Sequence, residues 1–393
     1  MRDFIVVGSG AGGAAVAKEL SSAGRRVLIL EGGKRVAPGR AASAYTIAPG
    51  EVEIWQTRCL GGTTLVSMGN AMRSGKCPEL EAHYAGAESD MGVGPVPGEN
   101  LGRGTRLLLG AHRGWKVMPK AIDFSRCKGC GLCASGCPNG ARWTSLSHIS
   151  QARRKGCSVL TGSAVKRVVV ESGRAAGVEL EDGRVFRGGS VILSAGAIET
   201  PRILQRSGIG GTGGGLFADT FVTVGGVMKG IGMNAELGMA LYAEGEGYMM
   251  SPHYSSYLVQ KLKEKGFAAA PFDILGIMVK IEDQPSGCVD LEKVTKGITK
   301  RDARLLEAAK REAAETLIRA GVEEATIVST HTRGTHPGGT CSSIIRSWEG
   351  EVPGVESLHV SDASVLAGPF GLPPLLTIIA GAGLLANSLL GRA

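Results

Sequence analysis

Cys127, Cys130, Cys133 and Cys137 place four thiols within eleven residues, and Pro138 follows the last. The spacing CxxCxxCxxxCP is that of an iron–sulfur ligand run. Thiolates two residues apart can point at adjacent corners of a cube. The small residues between them let backbone amides donate to the sulfides. A zinc loop is the weaker reading, because zinc favours two separated pairs and none is present. Where two such runs share two cubes, the fourth cysteine serves the other cube. With one run here, the fourth ligand is either Cys137 or a remote thiol, for which Cys59, Cys77 and Cys157 are the candidates.

A second chemistry is written at the start of the chain. Gly8, Gly10 and Gly13 follow the apolar run Phe4-Ile5-Val6-Val7 and open a helical segment that ends at Gly24. Gly8 permits a tight turn, Gly10 lets backbone approach a pyrophosphate, and Gly13 lets the helix lie close to the strand. The helix N-terminus then offers free N–H groups to phosphates. Glu31 closes the next strand, Val27-Leu28-Ile29-Leu30, 18 residues beyond Gly13. A carboxylate there suits ribose hydroxyls and disfavours a 2′-phosphate, which favours FAD or NAD over NADP.

Other elements must hold these groups. Gly61-Gly62-Thr63-Thr64 would turn N–H groups and hydroxyls towards a ring or phosphate. Residues 34–59 read as loop, and 79–120 carry little signal. From 158 to 195 the chain reads as β structure, with a hairpin turn at Asp182-Gly183 and a buried strand at 190–194. A helix follows, with Thr200-Pro201 expected at its N-cap and first turn. The methionines and tyrosines of 216–285, with His253 among them, read as core rather than pocket. Thr299 to Ala320 is an amphipathic helix with a Thr299/Asp302 capping box and an apolar face of Leu305, Leu306, Ala309, Ala313, Leu317 and Ile318. Leu366 to Leu390 contains no charge, but its prolines and its Gly/Ala content favour a buried helix over a membrane span.

The chain has 393 residues, 61 of them glycine, and a formal charge of +8. Its length allows two domains, or one domain with an insertion. No basic cluster is interleaved with aromatics, so nucleic acid is not an expected partner. The basic surface would suit an acidic electron carrier such as a ferredoxin, or peripheral contact with an anionic membrane. The first strand starts at residue 4 with no signal peptide before it. Nine cysteines, four of them in one run, are not a secreted disulfide framework. A reducing, cytoplasmic compartment is expected.

Taken together, these pieces resemble the glucose–methanol–choline family of FAD oxidoreductases. Four segments carry the likeness in family order. They are the glycine unit, Gly61-Gly62-Thr63-Thr64, Gly196-Ala197-Ile198-Glu199-Thr200-Pro201 with Ser207-Gly208-Ile209-Gly210, and His336-Pro337-Gly338-Gly339-Thr340-Cys341 with Asp362-Ala363-Ser364-Val365 and Thr377-Ile378. The resemblance implies an α/β fold, with a discontinuous Rossmann-like FAD-binding domain and an inserted, reduced α+β substrate domain. The expected division is 1–210, including an iron–sulfur loop at 120–145, then 211–328 as the substrate domain, then 329–393 as the rest of the FAD domain. It implies FAD held by Gly8, Gly10, Gly13, Glu31, Gly61, Gly62, Thr63, Thr64, Gly196, Asp362 and Thr377. It also places His336 as the histidine that takes a hydroxyl proton while hydride passes to the flavin, with His331 a weaker candidate.

Three features depart from the family pattern. Pro373 stands where a His or Asn is usual, so half of the alcohol-orienting pair is missing. The substrate domain is short. The cysteine run is no general family feature, although some flavin dehydrogenases of this kind pass electrons to an iron–sulfur centre. The expected activity is oxidation of an alcohol-type substrate, with electrons leaving through a [4Fe–4S] cluster on Cys127, Cys130, Cys133 and Cys137. The same wiring run in reverse would reduce a double bond, for example of an isoprenoid-like lipid. A third reading is an electron-transfer subunit without substrate chemistry.

Overall fold

Strand Arg2–Val7 lies between Val27–Glu31 and Val185–Leu193, parallel to both, with Ile5 opposite Leu28 and Val191. A computed structural model describes residues 2–391. Ser158–Thr161 extends this sheet beyond Val27–Glu31, and Leu358–Val360 pairs with Val191–Leu193, so the last part of the chain returns to the first. The first half of Val185–Leu193 turns back through Gly183 to pair antiparallel with Arg174–Leu180. These strands are apolar at consecutive positions because both faces are covered. Phe4, Val6, Ile29 and Ile192 face one core, while Ile5, Val7, Leu28, Leu30 and Leu193 face another.

Helix Ala11–Ser22 and the last helix, Leu375–Leu389, pack together over the first of these cores. A Cβ on Gly12 would lie 1.8 Å from the Ser361 carbonyl oxygen, so only glycine lets the first helix seat against the returning chain. Gly24, at φ +77°, ends that helix as expected. The uncharged C-terminal stretch is a 15-residue buried helix, and no helix among the described residues is long and apolar enough to cross a membrane.

A second sheet of nine strands runs Tyr45–Ala48, Glu53–Thr57, Arg333–Gly334, Phe221–Val227, Ile274–Ile281, Tyr248–Pro252, Leu241–Gly245, Lys116–Val117, with Val328–Ser329 alongside Phe221–Val227. It takes strands from before residue 210 and after residue 328, so the inserted segment does not build this layer alone. Val222, Val224, Ile277, Val279 and Ile281 pack on Leu306, Ala309, Ala313 and Leu317 of helix Lys300–Arg319. The Thr299/Asp302 capping box is present. Ile318 is exposed instead of joining the apolar face.

Three local expectations are corrected. Residues 34–59 contain the hairpin Tyr45–Ala48/Glu53–Thr57, whose edge position lets polar residues occupy strand sites. Residues 79–120 contain helices Glu81–Met91 and Arg103–Ala111; the first buries only Tyr84, Ala87 and Met91, too thin a stripe to read. Helix Gly196–Arg206 begins before Thr200-Pro201, which lie inside it. Pro201 has no N–H for the Ala197 carbonyl, and the Thr340 hydroxyl donates to that oxygen instead at 2.7 Å. A tertiary bond thus replaces the missing helical one.

Candidate active site

The glycine turn is closed at Gly8 and Gly13 and open at Gly10. Cβ atoms on Gly8 and Gly13 would each meet a carbonyl oxygen at 2.2 Å, whereas one on Gly10 would meet nothing within 4 Å. The helix behind it has no side-chain cap and no acid in its first turn. Glu31 is buried and accepts from the Ser9 N–H at 3.1 Å, the Ser9 hydroxyl at 2.6 Å and the Gly33 N–H at 2.7 Å. Burial raises its pKa against those bonds. Ser9 Oγ also accepts the Gly61 N–H at 2.9 Å, which ties the second glycine run to the first. Thr64 donates to the Gly61 carbonyl at 2.6 Å and accepts the Ser145 N–H, and Thr63 Oγ1 accepts the Thr57 N–H. Both hydroxyls therefore brace the turn, where the sequence suggested they would face a ligand.

Asp362 gathers the third and fourth segments. Its carboxylate accepts from the Gly196 N–H at 2.8 Å, the Thr200 hydroxyl at 2.5 Å and the Ser364 N–H at 2.8 Å. Thr377, in the first turn of the last helix, shares a 3.1 Å bond with the Tyr84 hydroxyl.

His336 lies at the start of the second sheet. Its Nδ1 is 3.2 Å from Asp219 Oδ2, and the same oxygen is 3.3 Å from Lys280 Nζ. Asp219 and Lys280 are fully buried. Burial pushes Asp219 up, but Lys280 and His336 outweigh it and hold the carboxyl below its usual range. Burial lowers His336; Asp219 opposes the shift and Lys280 adds to it. Asp219 adopts φ +49°, uncommon for a residue with a side chain. Asp283 holds it there by accepting the N–H groups of both Ala218 and Thr220, and is itself paired with Lys296 at 2.9 Å. Sequence reasoning missed Asp219, Lys280 and Asp283. The one available signal was a lysine inside the apolar strand Ile274–Ile281. His331 is elsewhere, 3.1 Å from Glu53 and edge-on to Tyr257.

Lys280 and Phe221 are directly opposite each other, as are Phe221 and Arg333, Arg333 and Glu53, and Lys280 and Met249. They form one row on the sheet face turned away from helix Lys300–Arg319. Phe221, Met249 and Met278 there pack with Met72, Met118 and Met239, with Met68 and Leu372 against them. The expectation that these methionines are core holds: Met233 and Met250 pack towards the helix and Met239 and Met249 pack on the other side of the sheet. Met239 and Met249 share their cluster with Met72 and Met68, from the chain after Gly61-Gly62.

The cysteine run comes close to the same segment. Cys127, Cys133 and Cys137 pack on one small core with Ile122 and Ala141. Cys130 is not among them. No three His, Cys, Asp or Glu side chains among the described residues are grouped closely enough to hold a metal ion. The expected ligand set is thus not drawn together among the described residues. Cys137 is nonetheless shifted towards the thiolate. Burial raises its pKa, but the N–H groups of Arg142, Ala141 and Asn139 outweigh that and hold it low. Of the remote candidates, Cys77 and Cys157 sit in the first sheet's core, and Cys59 is buried beside Thr57.

Comparison with known proteins fits this arrangement. The family model for GMC oxidoreductase matches residues 76–238, and that for an NAD(P)-binding Rossmann-like domain matches 6–63. An uncharacterized protein of Methanocaldococcus jannaschii is 32% identical over 389 residues, covering 97% of each chain. An uncharacterized GMC-type oxidoreductase of Mycobacterium tuberculosis is 36% identical over 248 residues, covering 53% of this chain and 39% of that protein. The crystal structure of pyridoxine 4-oxidase from Mesorbium loti superposes with a TM-score of 0.76 over all of both chains at 15% identity, a likeness of fold. The chain thus carries a GMC oxidoreductase domain beside a Rossmann-like dinucleotide domain in a mixed α/β fold, and its named relatives are GMC-type oxidoreductases, which supports an oxidoreductase.

Proteins of this family usually bind FAD. The open side at Gly10, the uncapped helix end and the buried Glu31 fit such a dinucleotide.

Proposed function

We propose that this protein is an FAD-dependent dehydrogenase that oxidises an alcohol-type substrate and exchanges single electrons through a [4Fe–4S] cluster on Cys127, Cys130, Cys133 and Cys137. One observation carries the relay. The segment immediately after Gly61-Gly62 is bolted to the cysteine loop by two buried cations. Arg142 donates to the Thr64 and Leu65 carbonyls and to the Ser67 hydroxyl, and Lys120 donates to the Met68 carbonyl and to Asn70. Both lie close enough to Cys133 to favour its thiolate, although burial raises the thiol's pKa overall. A cluster with four thiolates carries net negative charge, which these cations would offset.

FAD, when bound, accepts a hydride and can release the two electrons one at a time. Gly8, Gly10, Gly13 and Glu31 would hold its pyrophosphate and ribose, with Gly61, Gly62, Thr63, Thr64, Gly196, Asp362 and Thr377 shaping the rest of the site. Ionised Asp219 keeps a proton on Nδ1 of His336. The Nε2 nitrogen is then left to take the substrate's hydroxyl proton. Exposed Arg126 and Lys128, beside the cysteines, suit an acidic electron carrier such as a ferredoxin.

Protein purified without oxygen tests this by absorbance with iron and acid-labile sulfide analysis. Flavin bands with about four irons per chain are expected. Flavin without iron would remove the relay. Cys130→Ser should abolish the cluster and spare flavin reduction. His336→Ala should retain FAD and slow substrate-driven flavin reduction by about two to four orders of magnitude. Pro373 and the methionine-rich sheet face favour a second reading, reduction of a double bond in an apolar substrate. Flavin that is reoxidised by an enone, but not reduced by alcohols, would select it.

A further inference from the structure

Arg333 is a buried guanidinium without a counter-ion in contact. It is 7% exposed, and no carboxylate among the described residues lies within 4.0 Å of it. Its bonds are two long ones from Nη2, to the Thr330 hydroxyl at 3.3 Å and the Ser255 hydroxyl at 3.5 Å. Its Nε is buried with no partner. Glu53 stands opposite it in the neighbouring strand, but that carboxylate accepts from Trp55 and His331. The guanidinium carbon lies over the rings of Phe221 and Tyr257, 4.8 and 4.7 Å from their centroids. The rings accept no conventional hydrogen bond, so the N–H groups of Nε and Nη1 are left for one. Buried charges are ordinarily paired, and Lys280 and Lys296 in the same sheet region both are. Arg142 and Lys120 also lack a carboxylate but are held by short bonds to backbone carbonyls, whereas Arg333 has only its two long ones.

Its position relative to His336 is also fixed. Asp219, which holds His336, is paired with Lys280, and Lys280 stands directly opposite Phe221, which Arg333 covers, so all of them lie on one face of the sheet. Lys280, Phe221 and Arg333 occupy three adjacent strands, each about 5 Å from the next. The methionines beside Phe221 are adaptable side chains that can yield to a small apolar body.

We propose that Arg333 is the receptor for a carboxylate on the substrate, so that the molecule oxidised or reduced here is a small organic acid whose acid group lies a few bonds from its reacting carbon. The inference rests on the oxidoreductase site described above and specifies its substrate class. One guanidinium edge matches one carboxylate; a phosphate dianion would call for a second uncommitted cation, and Lys280 is committed to Asp219.

The test is calorimetric titration of the purified protein with benzoate, with benzamide as its neutral isostere, and with inorganic phosphate. Benzoate should bind at least tenfold more tightly than benzamide, and phosphate should not displace it. Arg333→Gln, checked for an unchanged melting transition, should lose that tenfold preference, and Arg333→Lys should recover part of it. Equal binding of benzoate and benzamide, no binding of benzoate, or preference for phosphate would each overturn the proposal. If the glutamine variant fails to fold, the benzoate–benzamide comparison on the natural protein still decides. Flavin absorbance of the same sample reports separately on the oxidoreductase reading, because the calorimetric preference is measured whether or not flavin is present.

Discussion

The two faces of the nine-stranded sheet are both buried and carry opposite chemistry. Towards helix Lys300–Arg319 the strands present Val222, Val224, Ile277 and Val279, an apolar layer with no polar atom to satisfy. On the other side the same strands present Arg333, Phe221, Lys280, Thr223 and Met278. Asp219, which is held at the same end of the sheet, has an oxygen there with no hydrogen-bond partner, and so does Arg333 through its Nε. Asp362, in the dinucleotide layer, has three protein donors on its carboxylate. A buried polar group with its bonds complete holds structure, whereas one left incomplete costs stability and needs another reason to persist. The two faces of this sheet therefore differ in kind: one is apolar, and the other holds buried polar groups whose bonds are incomplete.

Lys280→Met should have the largest effect on this contrast. It leaves Asp219 buried with only His336 as a partner, and should cost about 3–5 kcal/mol in urea unfolding. It should also raise the pKa of His336, readable by NMR titration, because Lys280 now holds it down. An unchanged His336 would show that the lysine does not act on it. Leu317→Ala on the opposite side should cost about 2–5 kcal/mol and leave the histidine titration untouched.

A pH effect of somewhat smaller size is expected in the dinucleotide layer. His148 is buried with neither ring nitrogen hydrogen-bonded, and burial pushes it down to about 4. The unfolded chain binds a proton below about pH 6.5 that the folded chain refuses until about pH 4. Stability is therefore complete above pH 6.5 and falls by about 3 kcal/mol as the pH drops to 4. His148→Gln should flatten that slope in melts run across the range; an unchanged slope would assign the acid sensitivity to other groups.

The smallest change is expected from Met249→Leu, below about 1.5 kcal/mol because volume is conserved. Its effect should appear instead in binding of apolar ligands, since Met249 lies in the methionine cluster of the site face. A loss of stability as large as that of Leu317→Ala would place Met249 in the scaffold and weaken the contrast.

Local rules were enough for part of this protein. The apolar run Phe4–Val7, the glycines behind it, Glu31 and the Thr299/Asp302 cap each depend on residues within one supersecondary unit, and all stand where the sequence put them. The Asp182-Gly183 hairpin is equally local. Other features rest on contacts between distant segments. Helix Gly196–Arg206 starts early because Thr340 answers the carbonyl that Pro201 cannot. The Tyr45–Ala48 and Glu53–Thr57 strands exist because a sheet edge was available to them. The Asp219–Lys280–His336 group is assembled from residues 61 and 56 positions apart, and the isolation of Arg333 from any carboxylate depends on which strands became its neighbours. Sequence carries the short-range geometry of phosphate turns, caps and hairpins because adjacent residues share a backbone. Which charges meet, and which are left without a partner, is settled only when strands pair, since burial and proximity across a sheet are properties of the packed chain.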